Sequence, residues 1–538
     1  MSNQMSNHIM SENTQRSTGR DAQRNNIAAA KAVAQTIRTT LGPKGMDKMI
    51  VDSTDEVIIT NDGVTILREM QIEHPAAKMV VEIAKTQEDT VGDGTTTAVI
   101  IAGELLKKAE DLLDQNIHPT IVARGYRIAE QEAQNILNQI AEDISIKDEI
   151  KLKQLAITAM TGKGAESNKE KLAEIIVKAI KFVSETKPIL NNQTNQLTSQ
   201  TKVNKDNIKV EKVVGYTSDK SELIEGIVID KEKVHPSMPN KIENAKVALL
   251  DSPLEIKNTE IDAKIQITDP QQLNAFLAQE EQSLKEMVTK IKSTNANVLL
   301  CQKGIDDVAQ HFLAKEDIMA FRRVKRSDLE KISQATGAKI VSSWKELEEK
   351  DLGYAGQVKT EKINDENITF IEKCKNPKAI TLLVKGGTEH VAEEIKRAVI
   401  DAIGDLSSAL SNGKIVAGAA AVEMELAKKL RYFANSLNGR EQLAVLAFAE
   451  TMEIIPRTLA ENAGLDPIDV ITQLRTSHNQ GEKWIGINVF SGKNINAWEE
   501  GIIEPLKIKT QALSSATEVA EMILRIDDVI LGNEKINS

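Results

Sequence analysis

The sequence predicts a multidomain α+β protein, and three observations carry that expectation. The chain has 538 residues, which at ~150 residues per domain is more than one hydrophobic core can serve. Hydrophobic residues make up 41 % of it, enough to fill large cores and to exclude a disordered chain. Both ends carry helical apolar periodicity, whereas the middle alternates short strands with helices.

From Asp21 the spacing of Ile27, Ala30, Ala34, Ile37 and Leu41 predicts a helix stopped by Gly42-Pro43. Two short strands follow, Met49–Asp52 and Val57–Thr60, joined by a turn-rich segment. Asn61-Asp62-Gly63 turns into a helix from Val64, and Gly92-Asp93-Gly94 opens a longer one. Its broad apolar face (Val99, Ala102, Leu106, Ala109, Leu113) marks it as buried. The Asn- and Gln-rich stretch 191–207 reads as a loop or linker. Between about 215 and 375 lie strands Lys246–Leu250, Asn297–Cys301 and Lys339–Val341. A helix there starts with Asp269 as N-cap and Pro270 as first residue. Beyond about 388 the chain reads as helical again.

The charge balance, 68 basic against 79 acidic residues for a net −11, argues against nucleic acid as a partner. Aromatic residues, at 3 %, are too few for a base-stacking platform. The basic cluster Arg322, Arg323, Lys325 and Arg326 reads as a solvated face. No apolar run approaches the ~18 residues needed to cross a bilayer, and the polar N-terminus is no secretory signal. No membrane partner and a cytoplasmic location are therefore expected. Cys301 and Cys374 fit no zinc spacing and read as free thiols.

No Gly-Lys pair is followed by Ser or Thr, no GxGxxG joins a strand to a helix, and neither HExxH nor GxSxG occurs. If the chain handles a nucleotide, GDGTTTAV at 92–99 is the candidate device. Its glycines allow close backbone approach, and Thr95, Thr96 and Thr97 present amides at a helix N-terminus suited to phosphate. Asp93 offers a hard oxygen to Mg²⁺. Each motif alone has an ordinary alternative: a threonine-capped helix start, a turn at 61–63, a helix stop at 41–45. Asp401 falls beside the apolar stripe of its helix, near Glu394 and Asp405, where a solvated face is the simpler reading. Lys163 is by default a surface-loop lysine.

Taken together the segments LGPKGMDKMI (41–50), TNDGVTIL (60–67), VGDGTTTAV (91–99), TAMTGKGAE (158–166), IDKEKVHPSMP (229–239) and IEPLKIKTQAL (503–513) resemble the group II chaperonins, in particular the archaeal thermosome. The resemblance runs from about residue 15 to 532. It implies a chaperonin fold: a mostly helical equatorial ATP-binding domain (1–148 and 405–538), a small intermediate domain (149–214 and 377–404) and an α/β apical domain (215–376). A helical lid protrusion is expected near 253–283. It further implies an ATP hydrolase using ATP and Mg²⁺, assembled with copies of itself or paralogous subunits into a double ring that encloses non-native client proteins.

By position, the resemblance assigns Thr40, Leu41, Gly42 and Pro43 to a nucleotide-contacting loop. Gly63, Gly94, Thr95, Thr96 and Thr97 fall in the phosphate-binding segments, and Asp93 at the metal. Asp62 and Asp401 fall at the acids around the attacking water, and Lys163 at a sensor of the terminal phosphate. Gly418 and Glu499 fall at further nucleotide contacts. One departure stands out. Where the family carries three glycines, Gly418 is followed by Ala419 and Ala420. If either alanine takes φ > 0, a strain of ~1–2 kcal/mol would weaken affinity about five- to thirty-fold; with negative φ and the methyl groups pointing away the cost is small. The alternative function is therefore a nucleotide-impaired structural subunit of a mixed ring.

Overall fold

The computed structural model describes residues 14–51, 55, 57–190, 197–256, 270–363, 366–375 and 377–532. The chain divides into two compact units, one built from 1–173, 186–202 and 400–538, the other from 174–185 and 203–399.

The first unit is a helical body made from both ends of the chain. Helix Thr95–Asp114 is its axis, packed by Gly19–Arg38, Pro75–Thr90, Leu506–Leu524 and Glu441–Met452. Small residues let these helices approach. A Cβ on Gly103 would stand 2.4 Å from that of Ala34, and one on Gly125 2.4 Å from that of Ala444. Tyr126 is fully buried, gives its hydroxyl proton to the Leu105 carbonyl at 2.8 Å and meets Phe448 edge-on. The predicted first helix ends at Arg38 rather than Leu41. Thr40 Oγ1 folds back onto the Ile37 carbonyl, and the Asn462 amide caps the carbonyls of Arg38 and Leu41. Strand Thr14–Thr18 pairs antiparallel with Asp528–Gly532, so the two ends of the described chain lie side by side.

The predicted strand pair appears as an antiparallel hairpin, Lys48–Val51 against Val57–Thr60. Three-stranded and two-stranded sheets complete the unit. Lys414–Ala417 lies between Glu142–Asp143 and Ile503–Pro505, and Ile485–Asn488 pairs with Lys493–Asn496.

The second unit is α/β. Its mixed seven-stranded sheet runs in the order Met319–Phe321, Val298–Cys301, Lys241–Leu250, Gly353–Ile363, Glu366–Glu372, Gly226–Ile229, with Ile340–Val341 beside Lys241–Leu250. Both faces are covered, which is why the central strands read as unbroken apolar runs. Leu329, Ile332 and Ala335 of helix Arg326–Thr336 fill one side; Leu284, Val288 and Ile291 of helix Pro270–Ser293 and Leu313 of Asp307–Lys315 fill the other. A smaller sheet sets Ile380–Gly386 between Ile208–Val214 and Glu222–Ile224. Cys301 and Cys374 are free and buried, and burial pushes both thiols up to about 11.

The multidomain α+β expectation holds. Within 191–207, where a loop was expected, Leu197–Val203 is a strand. Thr201 and Val203 are buried with Lys202 exposed between them, so a period of two lies beneath the polar composition. Residues 191–196, the Asp269 cap and residues 257–269 of the expected lid segment lie outside the described residues.

Candidate functional site

A cleft of about 470 Å³ opens in the first unit, within the range of small-molecule sites. One end is polar backbone and charge. Gly94 sits at φ 81° and hands over to helix Thr95–Asp114, whose first turn has no side-chain cap and no acidic residue. The Thr95, Thr96 and Thr97 amides thus face the cleft without a partner from their own helix, a ready anion site. A side chain at Gly94 would meet Ile508 at 2.6 Å and one at Gly63 would meet Thr96 Oγ1 at 2.5 Å. Gly42, at φ 83°, presses on Leu459 in the same way. The other end is apolar, lined by Ile455, Leu459, Ile487, Val489, Phe490 and Ile502.

Charge is concentrated at the polar end. Lys163 Nζ donates to Asp401 Oδ2 at 2.5 Å and lies 3.5 Å from Asp93 Oδ2. The three side chains are only 23 %, 15 % and 31 % exposed, respectively. Burial opposes the lysine's charge, but Asp401 and Asp93 outweigh it and hold Lys163 above the ordinary lysine value. Burial raises Asp401 to about 7, with Lys163 pulling against it and Asp93 and Asp62 adding repulsion. Glu88 is pushed up to about 8, first by burial and then by Asp401, Asp62 and Asp93.

Local structure holds each group. Asp93 Oδ1 accepts the Gly94 amide at 2.7 Å, and the Gln87 side-chain amide donates to the Asp93 carbonyl at 2.9 Å. Asp62 is the N-cap of helix Gly63–Glu69, its Oδ2 accepting the amide of Thr65 at 2.9 Å and its hydroxyl at 2.6 Å. Asn61 ties this turn to the Lys163 loop by donating to the Gly162 carbonyl at 3.1 Å.

Of the residues singled out in sequence, Thr40, Leu41, Gly42, Pro43, Asp62, Gly63, Asp93, Gly94, Thr95, Thr96, Thr97 and Lys163 line the cleft together. Asp401 joins through Lys163, and its low exposure replaces the expected solvated face. Gly418 stands one residue back, with Ala419 and Ala420 on the wall. Glu499 is exposed and off the lining, while its neighbours Glu500 and Glu504 are on it. Asp405, Lys509 and Asn488 line the cleft and were not singled out. Lys509 bridges Glu423 at 2.8 Å and Glu504 at 2.5 Å. Burial pushes Glu504 up against the pull of Lys509.

The open question of the two alanines has a geometric answer. Ala419 lies at φ 54° and Ala420 at φ 61°, so both carry the left-handed strain of ~1–2 kcal/mol. Their backbone is held by the Ile487 amide on the Ala419 carbonyl at 3.0 Å and the Met424 amide on the Ala420 carbonyl at 3.2 Å. The left-handed condition is therefore met at both positions, on the wall of the cleft.

Comparison with known proteins gives a consistent result. The model of the TCP-1/cpn60 chaperonin family matches residues 33–534. A thermosome subunit of Methanopyrus kandleri is 59 % identical over 526 residues, covering 98 % of this chain and 95 % of that one. Thermosome subunit beta of Archaeoglobus fulgidus is 58 % identical over 522 residues, covering 97 % and 94 %. Among solved structures, the open-state monomer of a group II chaperonin from Methanococcoides burtonii is similar at a TM-score of 0.59 and 44 % identity, over 81 % of this chain and 100 % of that one.

Proposed function

The chain belongs to the TCP-1/cpn60 chaperonin family, and we propose that this group II chaperonin subunit binds and hydrolyses Mg-ATP to drive enclosure of non-native proteins. The observation that carries the reading is the cleft itself: an uncapped helix N-terminus beside a held carboxylate, with an apolar slot opposite. This donor set fits a magnesium nucleotide. The slot accepts a flat base, the Thr95–Thr97 amides accept phosphate oxygens, and Asp93 offers the single hard ligand that Mg²⁺ needs beside phosphate and water. When bound, Mg²⁺ supplies neutralisation of the phosphate charge.

Phosphoryl transfer to water has a loose transition state, so positioning and charge decide the rate. Asp62, fixed by Thr65, orients the water. Asp401 accepts its proton late. An ordinary carboxyl of pKa ~3.9 is a poor base, but burial has raised Asp401 to about 7, near the optimum for a general base at neutral pH. Lys163 holds the Asp401 carboxylate in place and turns to the terminal phosphate. Asp401→Ala is expected to retain ATP binding and lose turnover in the size-separated assembly; unchanged turnover refutes the role.

We place the hinge in 149–214 and 377–404 and the client-facing surface in 215–376, with the lid near 253–283 closing over the client. Copies of this chain, or paralogous subunits, complete a double ring. The structural-subunit alternative draws on Ala419 and Ala420, both left-handed on the cleft wall. A large assembly without Mg²⁺-dependent turnover would favour that alternative.

A further inference from the structure

Asp405 has no role in the scheme above, although it lines the same cleft and is only 3 % exposed. Its Oδ1 is buried without a hydrogen-bond partner. The nearby cations are already engaged: Lys163 donates to Asp401 at 2.5 Å, and Lys509 is shared between Glu423 and Glu504. Lys163 acts on Asp405 through space but bonds Asp401, so the buried Oδ1 keeps an unmet lone pair, which is costly where an apolar residue would pack. A donor or cation from outside the chain would complete it.

Position says what. Asp405 follows Asp401 by one helical turn, on the same face of helix Glu389–Asn412. Between them Gly404 lets the helix backbone press onto the loop that carries Asp93. A Cβ at 404 would lie 3.0 Å from the Val91 carbonyl oxygen and 3.4 Å from Gly92 Cα. Two hard carboxylates, Asp93 and Asp405, therefore border the same end of the cleft. Mg²⁺ is bound by one or two carboxylates with phosphate and water completing its octahedron. We infer that Asp405 is a second carboxylate ligand of the divalent cation held by Asp93. The inference rests on the assignment of Asp93 to that cation.

The test uses Mn²⁺ as a probe, followed by the electron paramagnetic resonance signal of the free ion, on the intact assembly with one equivalent of ADP. Wild type, Asp93→Asn, Asp405→Asn and Asp405→Val are compared. Asp405→Val replaces the carboxylate by a residue suited to burial, which guards against a folding failure of the amide variant. Thermal unfolding without metal confirms that each variant is folded. Both Asp405 variants are expected to weaken Mn²⁺ binding by at least about tenfold. Unchanged Mn²⁺ affinity in a folded Asp405 variant, with binding lost in Asp93→Asn, overturns the role of Asp405 and leaves the cation site standing. Unchanged affinity in Asp93→Asn, or no Mn²⁺ binding by wild type, overturns the assignment of Asp93 and the inference with it.

Discussion

Asp401 shows how far burial can move an acid from its solution behaviour, and the shift has a measurable sign. In the unfolded chain the group ionises near 4; in the nucleotide-free fold it ionises at about 7. Between those values the folded protein holds the extra proton, so stability falls as pH rises from about 4 to about 7 and is level above. Melting temperatures of the protein without ligand between pH 5 and 8.5 should show this decline, and Asp401→Asn should lessen its slope, with Glu88, raised to about 8, leaving the remainder. Equal slopes would mean that Asp401 is not the titrating group. Ala419 and Ala420 give a second residue-scale test. Replacing either by glycine removes the left-handed penalty but enlarges the freedom of the unfolded chain, for a net gain of about 0.5–1 kcal/mol each. Chemical denaturation reads it directly; a lowered midpoint would contradict the strain. The residues that bring the cleft together were legible because they sit in contiguous motifs with glycines and threonines. Asp405, Glu88 and Glu504 were not, because a lone acid beside an apolar stripe looks the same in sequence whether water or another helix covers it.

Among the elements, the hairpin Lys48–Val51 with Val57–Thr60 turns an apolar face outward. Cross-strand partners share a face, and the pairs Met49–Ile59 and Val51–Val57 set four apolar side chains outward. Met49 is 68 % exposed and Val51 57 %. A two-stranded ribbon with an apolar outer face and free edges is poorly stable alone and invites pairing. A second copy of this chain is the partner expected in a ring. Met49→Lys combined with Ile59→Lys should shift the assembly toward single subunits in sedimentation, with the helical content retained; a double ring of unchanged size would exclude this surface from the contact. The strands of the hairpin were readable from β-branched alternation, and the helices from their stripes. The strand Leu197–Val203 was hidden because asparagine and glutamine around it dominated the composition, while the alternation that defines it is only a few residues long.

On the scale of the whole molecule, the division into two units is not a division into two lengths of chain. The second unit is nearly continuous, so a fragment spanning 203–399 should fold cooperatively by circular dichroism melting. The first unit is closed by helices Glu441–Met452 and Leu506–Leu524, which pack on Thr95–Asp114 and Pro119–Ile140. Fragment 1–173 lacks both, and its apolar faces would lie open; it should show no cooperative transition by itself and gain one when 400–538 is added. A sharp melt of 1–173 alone would show that the shared core is less essential than its packing indicates. The α/β character of the middle was legible from alternation of strand and helix, but the joining of the ends was not, since no local pattern reports which distant helix will cover an apolar stripe.

The adjacency of Thr14–Thr18 and Asp528–Gly532 has a consequence during biosynthesis. A ribosome delivers Asp93 early and Lys509 near the end, a delay of tens of seconds at ~5–20 residues per second. The middle of the chain can settle as it emerges, while the helices made first wait with their apolar faces unpaired. The cleft described above cannot form on a nascent chain. A chaperonin subunit is thus, for most of its own translation, in the same condition as the proteins it is proposed to enclose.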